Sequence, residues 1–156
     1  MRRVMGGAAA GATALMVMTV LGAGPAAASE TVNWAPVKTN SNWECSGYWT
    51  VPPSMVKFKS CIVRNASNDA QAVLVVQNPT STDHTITKGR VVFESQRGGD
   101  VWCARTNLAA GATAGCYAPT VKTIPACTRT TDATVSLWVN NGGSTTISKD
   151  GENMHC

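Results

Sequence analysis

Six cysteines constrain the fold of this chain more than any other feature of its sequence. They are Cys45, Cys61, Cys103, Cys116, Cys127 and Cys156. All of them follow an N-terminal stretch with the features of a secretion signal, and an even cysteine set in an exported domain indicates disulfides formed in an oxidising compartment. Their spacing lacks the short paired Cys/His intervals of a zinc site. The sequence therefore predicts three disulfides and neither a metal nor another cofactor.

The sequence alone does not fix which cysteines pair. We prefer neighbouring pairs, in which each bridge closes one short stretch of chain. These pairs are Cys45 with Cys61, Cys103 with Cys116, and Cys127 with Cys156. In the chain-entropy model a bridge that closes about 15 residues stabilises the fold by about 3 kcal/mol. The last pair would also hold the C-terminal residue, which otherwise tends to fray.

The first 28 residues predict export. Arginines at positions 2–3 precede an apolar run at residues 14–21, and alanines at 26–28 supply the small residues that precede a cleavage site. The run is shorter than the roughly 20 residues that span a bilayer. We therefore expect residues 1–28 to be a signal peptide and residues 29–156 to be a secreted, extracellular domain with no membrane span.

Composition favours one β-rich domain and argues against nucleic acid as a partner. The net charge of +4 includes two arginines of the predicted leader, which leaves a weak positive balance for residues 29–156. A nucleic-acid-binding domain would carry a basic stripe. Threonine, which favours strands, is abundant in the predicted domain, together with serine and asparagine, which favour turns. The chain length suits a single domain, which we expect to be monomeric.

Hydrophobic periodicity predicts short strands. Residues 133–139 alternate, with the alanine, valines and leucine on one face and Thr134, Ser136 and Trp138 on the other. Residues 72–76 are apolar on both faces, as in a central strand that is covered on both sides. Further short runs lie at 57–64 and 90–95, and turn residues separate them. This pattern is typical of an all-β sandwich or small barrel.

The stretch from Gln71 to Cys116 resembles a known scaffold. A hydrophobic strand ends in Asn78, Gly89 opens another, and residues 108–113 form a Leu-Ala-Ala-Gly-Ala-Thr turn. This arrangement is similar to the immunoglobulin-like repeats of small secreted actinobacterial proteins. The resemblance implies an immunoglobulin-like antiparallel β-sandwich, here stabilised by three disulfides. It implies a scaffold only, so no catalytic residues carry over.

Residues suited to catalysis are scarce. His84 lies in a polar turn, and no Gly-x-Ser-x-Gly elbow places a serine nucleophile for it. Several carboxylates occur, but no spacing singles out a glycosidase pair. We therefore predict that the protein is not an enzyme. A small secreted hydrolase that uses His84 or a carboxylate pair is the third possibility.

Tryptophan on a polar sheet face is the strongest indication of function. Strict alternation places Trp138 opposite the apolar face, where a large amphipathic ring can stack on a sugar or anchor a partner protein. The alternative is that another segment covers this ring. Trp43, Tyr48 and Trp49 crowd together earlier in the chain and would line the same kind of groove. We therefore predict a binding module for an extracellular polysaccharide, a cell-wall polymer or a secreted protein.

A second hypothesis concerns the segment between Cys45 and Cys61. Pro52 and Pro53 would stiffen an extended loop, and Met55 or Lys57 would enter the specificity pocket of a protease. Rigidity lowers the entropy cost of binding. An ordinary connection between strands explains the same residues. Inhibition of an extracellular protease is therefore the alternative to the binding module.

Overall fold

A computed structural model describes most of the predicted mature domain. The described residues are 29–67, 69–93, 100–122, 130–140, 142 and 144–153. The predicted signal peptide at 1–28, and the predicted pair of Cys127 and Cys156, lie outside them. Every regular element in the described part is a strand, which confirms the all-β prediction there. No helix in this part is long and apolar enough to cross a membrane.

The described residues form twelve strands. They are β1 (Glu30–Val32), β2 (Trp43–Cys45), β3 (Trp49–Val51), β4 (Val56–Arg64), β5 (Asp69–Gln77), β6 (His84–Val92), β7 (Val101–Cys103), β8 (Thr106–Leu108), β9 (Thr113–Tyr117), β10 (Val121–Lys122), β11 (Thr130–Val139) and β12 (Ser144–Asn153). The predicted strand at 57–64 therefore falls within β4, and the predicted alternating strand at 133–139 falls within β11.

The strands form two sheets. Sheet A has the order β1-β7-β6-β11-β12, with β8 also paired to β6. Sheet B has the order β10-β5-β4-β2, with β3 also on β4 and β9 also on β5. All these pairings are antiparallel except that between β1 and β7, which is parallel. This one parallel pairing departs from the expected antiparallel sandwich, because the N-terminal strand joins sheet A without a hairpin.

The apolar core lies between the two sheets. The alternation of β11 appears as predicted, with Ala133, Val135, Leu137 and Val139 buried and the residues between them half-buried on the outer face. Phe58, Ile62 and Leu74 supply the facing side chains of sheet B. The Ser60 hydroxyl donates a hydrogen bond of 2.8 Å to the carbonyl oxygen of Ala133, and this bond links β4 to β11.

Strand β5 is buried on both faces, as its sequence predicts. Leu74 and Val76 belong to the core, whereas Val73 and Val75 belong to a second apolar cluster on the outer face of sheet B. The segment between β1 and β2 covers that face. Val37 packs against the second cluster, and the Tyr117 hydroxyl donates a 3.0 Å hydrogen bond to the carbonyl of Pro36. The outer face of sheet B is therefore partly covered by this segment.

Two of the three predicted disulfides lie in the described residues and are confirmed. Cys45 and Cys61 join β2 to β4 within sheet B, and Cys103 and Cys116 join β7 of sheet A to β9 of sheet B. The two bridges have different consequences. The first holds an edge strand to its neighbour, and the second links the two sheets covalently.

The close approach of the sheets depends on Gly89, which lies opposite Cys103 in the β6–β7 pairing. A Cβ atom at position 89 would lie 2.7 Å from Leu74 Cδ2 and 2.9 Å from Cys103 Sγ. We expect Gly89→Ala to destabilise the protein by about 1–3 kcal/mol, because the core would have to expand around the added methyl group. Urea unfolding followed by tryptophan fluorescence measures this change.

Gly47→Ala is the matched control. A Cβ atom at position 47 would have no neighbour within 4 Å, so we expect a change of no more than about 0.5 kcal/mol. Equal unfolding midpoints for the two variants would show that the contact at Gly89 does not limit the packing of the sheets.

Candidate functional site

The outer face of sheet A carries two tryptophans and two cations on adjacent strands. Trp138 of β11 lies opposite Lys88 of β6, and Arg90 of β6 lies opposite Trp102 of β7. Directly paired residues of antiparallel strands project from the same face. We call these four residues the tryptophan platform. The platform therefore runs across β7, β6 and β11.

The side chains of the platform contact one another closely. The ring centroids of Trp102 and Trp138 are 6.0 Å apart with an interplanar angle of 48°. The Lys88 Nζ atom lies 4.5 Å from the Trp138 centroid and 4.7 Å from the Trp102 centroid. Arg90 Cζ lies 5.3 Å from the Trp102 centroid. These distances are within the cation–π range of about 6 Å, so the two cations and the two rings hold each other in place.

The platform has a positive balance. The guanidinium of Arg90 lies 3.6 Å from the Asp100 carboxylate, and both side chains are more than one-third exposed, so their attraction is weak. Lys88 is exposed and forms no ion pair with any described residue. Hydroxyl groups border the platform, since Ser136 lies opposite Arg90 and its Oγ is 2.8 Å from Thr146 Oγ1. The surface is thus aromatic and cationic, with a neutral polar rim.

The other predicted binding residues lie on sheet B. Trp43 is half-buried and makes an edge-on contact with Tyr117, with 6.1 Å between ring centroids. It packs against the second apolar cluster, as does Val37 of the segment that covers sheet B. Trp138 is also half-buried, but its neighbours are Trp102 and Lys88. The structure therefore does not bring Trp43 and Trp138 to a common groove.

Exposed apolar side chains concentrate in the β3–β4 hairpin, residues 48–59. Tyr48, Trp49 and Met55 are 45%, 54% and 53% exposed, and they are the exposed large hydrophobic residues of the described chain. The Lys59 Nζ atom lies 4.7 Å from the Tyr48 ring centroid. Partial burial raises the pKa of the Tyr48 hydroxyl. The hairpin thus joins residues predicted for a binding groove with residues predicted for an inhibitory loop.

The turn of this hairpin differs from its predicted conformation. The Pro52–Pro53 peptide bond is cis, and Met55 has a φ of 60°. The Ser54 hydroxyl and the Met55 amide both donate hydrogen bonds to the carbonyl of Val51, at 2.8 and 2.9 Å. Lys57 belongs to β4, opposite Thr50. The expected extended loop is wrong, because these bonds close the segment into a tight turn with Met55 near its end.

A cavity of about 560 Å³ lies between this turn and the loop that joins β11 to β12. Its lining includes His84. The amide nitrogen of Asn140 donates to His84 Nδ1 at 3.1 Å, since the Asn140 amide oxygen accepts from the Thr85 backbone N–H. His84 Nε2 faces Thr80 Oγ1 at 3.2 Å. The two ring nitrogens thus contact residues of two different loops.

The carboxylate next to His84 has a structural role. Asp83 accepts hydrogen bonds from the Ala110 backbone N–H at 3.0 Å and from the Asn107 side chain at 3.1 Å. It ties the start of β6 to the turn after β8. A hydrolytic triad needs a carboxylate that orients the histidine. Among the described hydrogen bonds, the partners of the His84 ring are the Asn140 side-chain amide and the Thr80 hydroxyl, and neither is a carboxylate.

The sequence matches no protein-family model, and no curated protein or solved structure shows significant similarity to it. Function is therefore argued from the sites themselves.

Trp102, Lys88 and Arg90 were absent from the sequence-based prediction of the site. Trp102 had a detectable signal, because it lies between Val101 and Cys103, and a cysteine bridged through the core forces its neighbour outward. No comparable sequence signal marks Lys88 or Arg90. Their place beside the rings depends on the pairing of β6 with both β7 and β11.

Proposed function

We propose that the protein is an extracellular binding module that recognises a polysaccharide or cell-wall polymer through the tryptophan platform. The observation that carries this proposal is the pair of tryptophan rings on the outer face of sheet A, with centroids 6.0 Å apart. Support for the compartment comes from the two disulfides, which persist in oxidising environments.

The geometry of the platform suits a polymer better than a compact ligand. Its residues lie on three adjacent strands, so they form a broad surface rather than an enclosed pocket. Tryptophan supplies a large contact area and loses little conformational entropy, because only two torsions are fixed on binding. The cation–π contacts hold the rings before any ligand arrives, which reduces the cost of binding further.

Sedimentation with insoluble polymers tests the proposal. The secreted protein is mixed with peptidoglycan, chitin or cellulose, and its distribution between pellet and supernatant is measured. We expect the wild type to sediment with at least one polymer, and Trp138→Ala to bind at least tenfold more weakly, as for loss of a central aromatic anchor.

Trp49→Ala is the control, because it removes an exposed tryptophan from the opposite sheet. It should sediment like the wild type, and both variants should retain the wild-type circular dichroism spectrum. A wild type that stays in every supernatant, or equal losses for the two variants, would contradict a polymer site at the platform.

We further propose that the scaffold is immunoglobulin-like and that a third disulfide joins Cys127 to Cys156. Support for the immunoglobulin-like topology is that the chain passes from β5 in sheet B to β6 and β7 in sheet A, and then returns to place β9 beside β5.

Support for the third disulfide is that each of the two described disulfides joins a cysteine to the next cysteine along the sequence.

Peptide mapping tests the third disulfide. Digestion of the unreduced protein should release a linked pair of peptides that contain Cys127 and Cys156, and this pair should separate on reduction. Alkylation under denaturing conditions should find no free thiol. Labelling of either cysteine before reduction would exclude the bridge.

A second candidate function is the binding of a partner protein, including a protease, by the β3–β4 hairpin. The observation that favours it is the exposure of Tyr48, Trp49 and Met55 on one hairpin. Clustered exposed hydrophobic residues mark interaction sites. A rigid turn that presents Met55 would also bind at low entropy cost.

Titration of secreted serine proteases with the purified protein tests this candidate. Stoichiometric loss of protease activity, weakened at least tenfold by Met55→Ala and unchanged by Trp138→Ala, would establish inhibition through the hairpin. Full protease activity at excess protein, or equal inhibition by the Met55→Ala variant, would argue against it.

A further inference from the structure

Lys88 occupies the centre of the tryptophan platform. Its ammonium group lies within 4.7 Å of both ring centroids, whereas the two rings are 6.0 Å apart. The lysine side chain therefore covers part of the ring surface on which a neutral sugar would stack. At this position, a ligand that is attracted to an ammonium group should bind more tightly than a neutral sugar.

The positive charge of Lys88 remains available to a ligand. A tryptophan ring attracts a cation through its quadrupole but carries no net charge, so the cation–π contacts leave the ammonium charge in place. The residue is exposed, and no described carboxylate pairs with it. An anionic group that approaches the face would meet this charge directly.

Arg90 extends the positive surface along β6. It lies two residues from Lys88 on the same face, a spacing of roughly 7 Å along a strand. Asp100 balances it only in part, at 3.6 Å and with both side chains exposed. Along β11, Asp132 is six residues, or about 20 Å, from the position opposite Lys88, and four residues, or about 13 Å, from the position opposite Arg90.

We propose that the tryptophan platform selects an anionic polymer, a chain with repeated carboxylate or phosphate groups, and that Lys88 contacts the anion. This inference rests on the proposed function and names its ligand class. Trp102 and Trp138 pack against the body of the polymer, while Lys88 and Arg90 meet successive charges along it.

Two polymers with the same backbone but different charge test the inference. The probes are polygalacturonate and its fully methyl-esterified form, with poly(glycerol phosphate) as the phosphate arm. We expect the wild type to bind at least one anionic probe at least tenfold more tightly than the esterified probe. Binding should weaken strongly between about 50 mM and 500 mM salt, because salt screens exposed charges. This salt dependence is a test that needs no variant.

The chain supplies a matched control for Lys88. Lys59 also contacts an aromatic ring, at 4.7 Å from Tyr48, but it lies on sheet B. We expect Lys88→Gln to weaken binding to the anionic probe at least tenfold and to reduce its salt dependence, with Arg90 supplying the remainder. Lys59→Gln should bind like the wild type, and Lys88→Arg should retain binding because it keeps the charge.

The outcomes separate this inference from the proposed function. Equal binding to charged and esterified probes, lost in Trp138→Ala, would overturn the anionic selectivity and leave a polymer-binding module. Anion binding that depends on Lys59 and not on Lys88 would overturn the platform as the site. Failure of the wild type to bind either anionic probe would overturn the inference, and sedimentation with insoluble polymers would then decide the proposed function separately. Binding to only one anionic probe would support the inference and identify the group that Lys88 contacts.

Discussion

The fold depends on the burial of β5 from both sides. Its even-numbered residues meet sheet A in the core, where Leu74 would contact any side chain at Gly89. Val73 and Val75 need a second cover, which the segment between β1 and β2 provides. A central strand that is apolar on both faces thus requires a third layer over sheet B, because its outer residues would otherwise be in water.

This third layer makes the two outer faces unequal. On sheet B, Val37, Trp43 and Tyr117 complete the second apolar cluster. On sheet A, the outer residues of β11 that face β6 are polar or amphipathic, those of β6 include Lys88, Arg90 and the apolar Val92, and cations contact the two tryptophans there. Among the described residues, these two half-buried rings contact each other and the cations. This asymmetry is the reason that we propose sheet A as the binding face.

Local patterns predicted the elements well, and non-local pairing decided the site. The alternation of residues 133–139 was enough to place Trp138 outward, and the doubly apolar run at 72–76 was enough to identify a central strand. The preference for pairs of neighbouring cysteines also predicted the two described disulfides. The platform could not be predicted in the same way. A shift of one residue in the β6–β11 register would place Lys88 and Trp138 on opposite faces of the sheet, and sequence periodicity does not fix that register.

The cation–aromatic contacts have two consequences that follow from the same geometry. They fix the rings by attraction to cations, of which Lys88 remains exposed to water. They also leave an exposed lysine charge that the rings cannot neutralise. A neutral ligand that stacks on the part of the rings covered by Lys88 would have to displace this side chain and would lose that attraction. An anionic ligand keeps it and adds its own charge pairing, which is why the structural role of Lys88 and its proposed role in recognition reinforce each other.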